Sequence, residues 1–355
     1  MSYLRRLAVL SAGVLTLAAC AAGSEGTPTT GATAPAPGDG TTGSDPGPEA
    51  PAAELTIGLT YTPDIQFAPF YVALEKGYYD DAGVDVTLRH HGASEGLFTA
   101  VAGGEEDVVV AGGDEMLQAR SQDVPLKSIA TLYQEYPVAL IVPADSDIEA
   151  AEDLAGRTVG IPGPFGETYF GLLALLGDAG LTEDDVQVEH IGYTQQAALT
   201  AGHVDAVMGF VNNDAVRFDA AGLEVRSIPV ADGDAPLVGI SLGVLDGTAE
   251  EQPDAVAAMV EATLRGVQDV VDDPQAAVEL SAAHVPDLGR ADAQAAALAT
   301  LEATVPLYGS GAELGTHSPD TWTAMVELLD EHGLLEGDVD PASAWTDQFL
   351  PAGNN

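Results

Sequence analysis

The chain has 355 residues and a formal charge of −45, set by 56 acidic and 11 basic side chains. A nucleic-acid partner needs basic faces, so this composition argues against one. A hydrophobic content of 46% is that of a folded protein long enough for two cores. An acidic excess of this size repels itself at low ionic strength and is screened by salt; a salt-rich habitat would account for it, and so would compositional drift toward Asp, Glu and Ala.

The first twenty residues read as an export signal. Arg5 and Arg6 precede an apolar stretch from Leu7 to Leu17, followed by Leu17-Ala18-Ala19-Cys20. The apolar stretch is too short to span a bilayer. Cys20 is the sole cysteine, so no internal disulfide forms. Leu-Ala-Ala-Cys behind such a stretch resembles the lipobox of bacterial lipoproteins. That resemblance implies that Cys20 is lipidated and becomes the mature N-terminus. Residues 21–53 contain no Lys, Arg, Leu, Ile, Val or Phe and are rich in Ala, Gly, Pro, Thr and Ser. Such a stretch cannot bury a core and is predicted to be a disordered tether. It would hold a folded body at the outer face of the cell membrane.

Residues 55–88 carry the clearest pattern. Leu55, Ile57 and Leu59 alternate with Thr56, Gly58 and Thr60, as in a half-buried strand. Phe67, Phe70, Tyr71, Leu74 and Tyr78 follow helical spacing, and Val84, Val86 and Leu88 alternate again. This βαβ unit implies a parallel sheet. Strands are then expected at 108–111, 138–142, 157–161, 186–191, 204–208 and 237–245. Helices are expected through Met116, Leu117 and Ala119, from Glu167 to Gly180, after Thr194, and from an Asn212 cap to Gly222. After 245 the pattern turns helical, over about 252–272, 274–284, 290–303 and 319–333. Pro253, Pro274 and Pro319 stand at helix starts. Trp322, Met325, Leu328 and Leu329 form a stripe read as core packing.

Five segments sit at the carboxyl ends of predicted parallel strands, where open α/β sheets hold ligands. They are Tyr61-Thr62-Pro63-Asp64 with Phe67 beyond it, Gly112-Gly113-Asp114, Pro164-Phe165-Gly166-Glu167, Tyr193, and Phe210 with Asn212, Asn213 and Asp214. Each joins glycine or proline to an aromatic or polar side chain. Ordinary loops use Gly, Pro and Asn for turn chemistry alone. Five loops of one character describe a cleft for a planar, hydrogen-bonding ligand. Tyr61, Phe67, Phe165, Tyr193 and Phe210 would wall or stack on it. Asp64, Asn212, Asn213 and Asp214 would hydrogen-bond it, with Asp114 and Glu167 nearby.

Thr62-Pro63-Asp64 with FYVALEKGYYDDAGVDVTL, together with Ala201 to Gly209 and the loop Gly160 to Gly166, resembles the NMT1/THI5-like and SsuA-like substrate-binding proteins of ABC importers. The resemblance covers about 54–335. It implies a two-lobed α/β fold of the periplasmic-binding-protein type II class, with mostly parallel sheets flanked by helices. Lobe one would be 54–135 plus 230–350, and lobe two 136–229, with ligand between them. It further implies a monomer that binds a small molecule, needs no cofactor, and delivers to separate permease and ATPase subunits. The thiamine-pyrimidine-precursor branch is nearest: its Trp-Thr-Pro-Asn is Tyr61-Thr62-Pro63-Asp64 here, and its Tyr-Trp-Asn-Tyr-Glu is Phe210-Val211-Asn212-Asn213-Asp214. The changes at Val211 and Asn213 keep riboflavin and sulfonate or nitrate solutes open. The five loops contain no Lys or Arg, and Arg217 lies one turn further on, which disfavours an oxyanion.

The same superfamily includes a thiamine pyrimidine synthase. The resemblance places its lysine and donor histidine at Ala111 and Glu115, and its cysteine cluster in 237–245, where no cysteine occurs. No amine stands there to form a Schiff base, so a binding role is expected rather than an enzyme. His90-His91 read as solvated strand-end histidines, and no metal site is expected.

Overall fold

The computed structural model describes residues 53–92, 95–230, 234–309 and 313–352. The expected signal peptide 1–20, the lipidation site Cys20 and the tether up to residue 52 lie outside the described residues. Ala53, assigned to the tether, opens the first strand. Contacts join the described residues into one compact unit.

The alternating run at 55–59 forms β1 (Ala53–Leu59), with Leu55, Ile57 and Leu59 buried. The chain continues through α1 (Ala68–Glu75), α2 (Tyr78–Asp81), β2 (Val84–His90), α3 (Thr99–Gly103), β3 (Val108–Gly112), α4 (Gly113–Ser121) and β4 (Leu126–Thr131). It then crosses into β5 (Val138–Pro143), β6 (Thr158–Ile161), α5 (Gly166–Asp178), β7 (Gln187–His190), α6 (Gln195–Thr200), β8 (Ala206–Phe210), α7 (Asp214–Ala220) and β9 (Val225–Pro229). It returns as β10 (Ile240–Leu245), followed by α8 (Asp246–Glu251), α9 (Pro253–Asp272), α10 (Pro274–Ser281), α11 (Ala291–Thr304) and α12 (Pro319–Glu331).

The strands make two five-stranded sheets, ordered β2-β1-β3-β10-β4 and β7-β6-β8-β5-β9. In the first, β1 pairs in parallel with β2 and β3, and β10 runs antiparallel between β3 and β4. In the second, β6 pairs in parallel with β7 and β8, and β5 runs antiparallel between β8 and β9. Four strands of each sheet therefore point one way. The reversed strand is the one that enters after the chain has left the other sheet: β5 follows β4, and β10 follows β9. Its apolar run carries no sign of direction, so the sequence could not separate it from the parallel strands.

Helices cover the faces. The apolar face of α9 includes Val256, Met259, Val260, Leu264 and Val267, all buried, and it packs on α1 in the core of the first sheet. Each such side chain contributes roughly 1.5–3 kcal/mol. Pro253, Pro274 and Pro319 all stand at helix starts, as expected. Trp322, Met325 and Leu329 are fully buried in the cluster that also holds Leu117 of α4, α5 and the second sheet. The C-terminal helix thus shares its core with both segments of chain.

Three local expectations are corrected. The helical spacing from Phe67 to Tyr78 is broken into a 3-10 turn (Ile65–Phe67), α1 and α2, because Gly77 adopts φ +71° between α1 and α2. The strand at 237–245 begins only at Ile240, because the carbonyls of Val238 and Gly239 accept from Asp114 N (3.3 Å) and Gly113 N (3.0 Å) instead. Those bonds satisfy the first free N–H groups of α4. Asn212 does not cap the helix at 214–220; Asn213 precedes it, and the Asn212 side chain points into the core.

Candidate functional site

A cavity of about 330 Å³ lies where the loops at the carboxyl ends of both sheets meet. From the first sheet it is lined by Thr60, Tyr61, Gln66 and Phe67 after β1, by Ala111 and Glu115 around the start of α4, and by Leu132 and Tyr133 after β4. From the second sheet it receives Phe165, Gly166, Glu167 and Thr168 at the start of α5, Tyr193 and Gln195 after β7, and Phe210, Asn213, Asp214 and Arg217 after β8. Tyr308 joins from the C-terminal helical region.

The walls are aromatic and open. Among the described residues, the large hydrophobics that stand exposed are Tyr61 (53%), Phe165 (53%) and Tyr193 (82%), and all three line this cavity. His90, at the end of β2, holds the first wall. Its Nδ1 lies 3.1 Å from the Tyr61 carbonyl oxygen, its Nε2 lies 3.0 Å from the Tyr71 hydroxyl, and its ring meets Phe67 edge-on at 5.6 Å. Burial lowers its pKa, so the ring is neutral near pH 7. A neutral ring then donates from Nδ1 to the carbonyl and accepts the Tyr71 proton at Nε2. Asn213 Nδ2 donates to Gln66 Oε1 at 3.3 Å, a direct link between the two sides of the cavity.

One end of the cavity is acidic. Asp114 and Glu115 occupy the first turn of α4, and Glu167 the first turn of α5. The Tyr136 hydroxyl lies 2.7 Å from Asp114 Oδ2 and 2.9 Å from the Glu167 carbonyl oxygen. Gly112 N donates to Glu115 Oε2 at 3.2 Å. A side chain at Gly112 would collide with Asp114 Oδ1 and press on Glu167, so glycine is what lets the acids close up. Burial pushes all three carboxyls up, and their mutual repulsion pushes Asp114 and Glu167 further; Glu115 reaches about 7. Helix N-termini favour the charged form, but by at most about 2 kcal/mol, and here burial outweighs them. After β8, Asp214 accepts from Phe210 N at 2.9 Å and is likewise raised by burial, with Arg217 opposing.

The structure brings Tyr61, Phe67, Phe165, Gly166, Glu167, Tyr193, Phe210, Asn213 and Asp214 to one cavity. It places six expected residues behind or beside it. Thr62 and Pro63 lie in a bend away from the lining. Asp64 turns to accept from Gln66 N at 3.0 Å as the cap of the 3-10 turn. Gly113 packs against Val238. Asp114 is fully buried on Tyr136, and Asn212 is fully buried with its Nδ2 3.0 Å from Thr304 Oγ1. Residues not singled out beforehand also line the space, notably Gln66, Tyr133, Thr168, Gln195 and Tyr308. Glu115 and Arg217 carried a signal, an acid at a helix start and a cation one turn into α7. Tyr133 and Tyr308 had none, because only the tertiary fold brings them in.

His91 is buried rather than solvated, with Nε2 2.9 Å from Glu106 Oε1. Glu95 lies close to both. Arg89 bonds Glu106 at 2.5 Å and Glu95 at 2.6 Å, so a guanidinium already balances the charge of both carboxylates. His317 is also buried: Ser128 Oγ lies 2.8 Å from its Nε2 and Asp347 Oδ1 2.6 Å from its Nδ1. Ser128 is completely buried, so this array is a clamp on the C-terminal segment and not a nucleophile.

Two α/β sheets with a ligand-sized cavity at the ends of their parallel strands define a solute-binding-protein architecture. The periplasmic aliphatic sulphonate binding protein SsuA from Escherichia coli shares this fold, with a TM-score of 0.66 at 16% identity over 82% of this chain and 91% of that one. The NMT1/THI5 like family matches residues 64–277, and the chain belongs to that family. It is 33% identical to the riboflavin-binding protein RibY of Chloroflexus aurantiacus over 98% of this chain and 99% of that one. It is 25% identical to the formylaminopyrimidine-binding protein of Halalkalibacterium halodurans over 80% of this chain and 87% of that one. No helix among the described residues is long and apolar enough to cross a membrane.

Proposed function

We propose that this protein is the solute-binding component of an ABC importer and that it holds riboflavin, by its flat ring system, in the cavity between the two sheets. The observation that carries this reading is the convergence of Tyr61, Phe165 and Tyr193 on one cavity. Exposed aromatic faces cost free energy in water and regain it by stacking on a flat ring. A volume of about 330 Å³ suits a drug-sized ligand rather than an ion. Identity over nearly full length to a riboflavin-binding relative supports the flavin ahead of the pyrimidine precursor that the loop motifs first suggested. Among the described lining residues Arg217 is the one cation against Glu115, Glu167 and Asp214, which disfavours a sulfonate or nitrate.

The reading excludes catalysis of the synthase type. Ala111 and Glu115, the positions at which that enzyme's lysine and histidine would fall, both line the cavity and offer no amine. The protein would be exported, held at the outer membrane face by lipid on Cys20, and would pass its solute to separate permease and ATPase chains. Melting the purified protein with riboflavin, an aminopyrimidine, an alkanesulfonate or pyridoxal phosphate tests this. Riboflavin at a hundred times its Kd should stabilise by about 2.7 kcal/mol. A shift with sulfonate alone, or an imine with pyridoxal phosphate, would overturn the reading.

A further inference from the structure

We infer that Glu167, with Glu115 beside it, meets the solute as a neutral carboxyl group and so selects rings whose edge pairs one acceptor with one donor. This rests on the cavity being the solute site. Glu167 lines the cavity, is 6% exposed, and its buried Oε1 has no hydrogen-bond partner. A polar atom left unpaired in a dry place costs free energy until something pairs with it. The side chain lines the cavity while Oε1 is tucked toward Gly112, so a solute seated there supplies the partner by drawing the carboxyl toward itself.

The surroundings decide its charge. Facing it from α4 are Asp114 and Glu115, and from the segment after β4 come Tyr136 and Tyr133. None of these is a cation. Asp214 and Arg217, after the neighbouring strand β8, also line the cavity, and Arg217 acts on Asp214. Burial and the two neighbouring acids push the Glu167 carboxyl well above the ordinary range. Like charges held this close cannot all ionise.

A carboxylate offers acceptors only, whereas a neutral carboxyl offers an O–H donor next to a C=O acceptor. That pair matches the C=O/N–H edge of an imide, as in a flavin, or the ring-nitrogen/NH₂ edge of an aminopyrimidine. Both fit through two parallel hydrogen bonds. A ring edge with acceptors alone, or a cation, fits less well.

The test is riboflavin binding to the intact protein, followed by flavin fluorescence from pH 5.5 to 8.5, for wild type, E167Q, E167A and E115Q. An amide keeps one donor and one acceptor at every pH. Wild-type Kd should rise at least tenfold across the range. E167Q should bind with no such dependence, and E167A should bind at least tenfold more weakly than wild type at pH 5.5. A riboflavin methylated on the imide nitrogen should lose the same factor with wild type and little with E167A. The inference is overturned if wild-type affinity is flat or improves with pH, if E167Q binds no better than E167A at pH 5.5, or if E115Q alone removes the dependence. If wild type binds no riboflavin at any pH, the solute reading itself falls, and the inference with it.

Discussion

Replacing Glu115 by Gln should make the stability of the unliganded protein less sensitive to pH. Glu115 sits in the first turn of α4 and its carboxyl is pushed up to about 7 by burial. In the unfolded chain it titrates near 4.5. Between those values the native state holds a proton that the unfolded state has lost. Its contribution to stability is therefore full below pH 4.5 and lost as pH rises through 7. At about 1.36 kcal/mol per pH unit the displacement corresponds to about 3 kcal/mol. The side chain keeps an edge open to the cavity, so water relieves part of this, and roughly 1–2 kcal/mol is the expected observable. Urea denaturation of wild type and E115Q at pH 5 and pH 8 measures it, with 1 M salt present to suppress the general acidic repulsion. E115Q should gain on wild type by that amount at pH 8 relative to pH 5. Equal pH dependence in the two proteins would refute the claim that burial holds this carboxyl in its neutral form.

Other consequences are simpler. Trp322→Ala should cost about 3–5 kcal/mol, because the indole is fully buried in the core shared by α4, α5 and the second sheet; a change under 1 kcal/mol in urea would contradict that packing. His317→Ala removes the link between Ser128 and Asp347 and should cost about 1–3 kcal/mol while exposing the C-terminal segment to protease; unchanged cleavage would remove its role as a clamp. With a formal charge of −45, the melting temperature should rise as salt goes from 0.1 M to 1 M, since the screening length falls from about 10 Å to about 3 Å; a flat response would sink the salt-rich habitat.

What the sequence made legible followed from short-range regularity. Alternation at Leu55, Ile57 and Leu59 gave β1, and the loops after the parallel strands gave most of the aromatic wall. What it hid depends on rotation and topology. Asp114 and Glu115 are neighbours, yet on a helix successive residues point about 100° apart, so one faces Tyr136 and the other the cavity. Asn212 and Asn213 divide in the same way between core and cavity just before α7. Tyr133 and Tyr308 reach the site from segments with no loop signal, and the reversed strands β5 and β10 carry no sequence mark of their direction. The burial of His91 and His317 was equally hidden, because each depends on acids distant in sequence.

The central claim is that the exposed aromatic rings wait for a flat solute. Riboflavin titrated into wild type and into a Phe165→Ala/Tyr193→Ala double variant tests it most directly. Because both rings stand in solvent, the double variant should unfold within about 1 kcal/mol of wild type. Wild type should quench the flavin at one equivalent, and the variant should bind at least tenfold more weakly, about 1.4 kcal/mol. Equal affinity in the two proteins, or no binding by the wild type, would contradict the account.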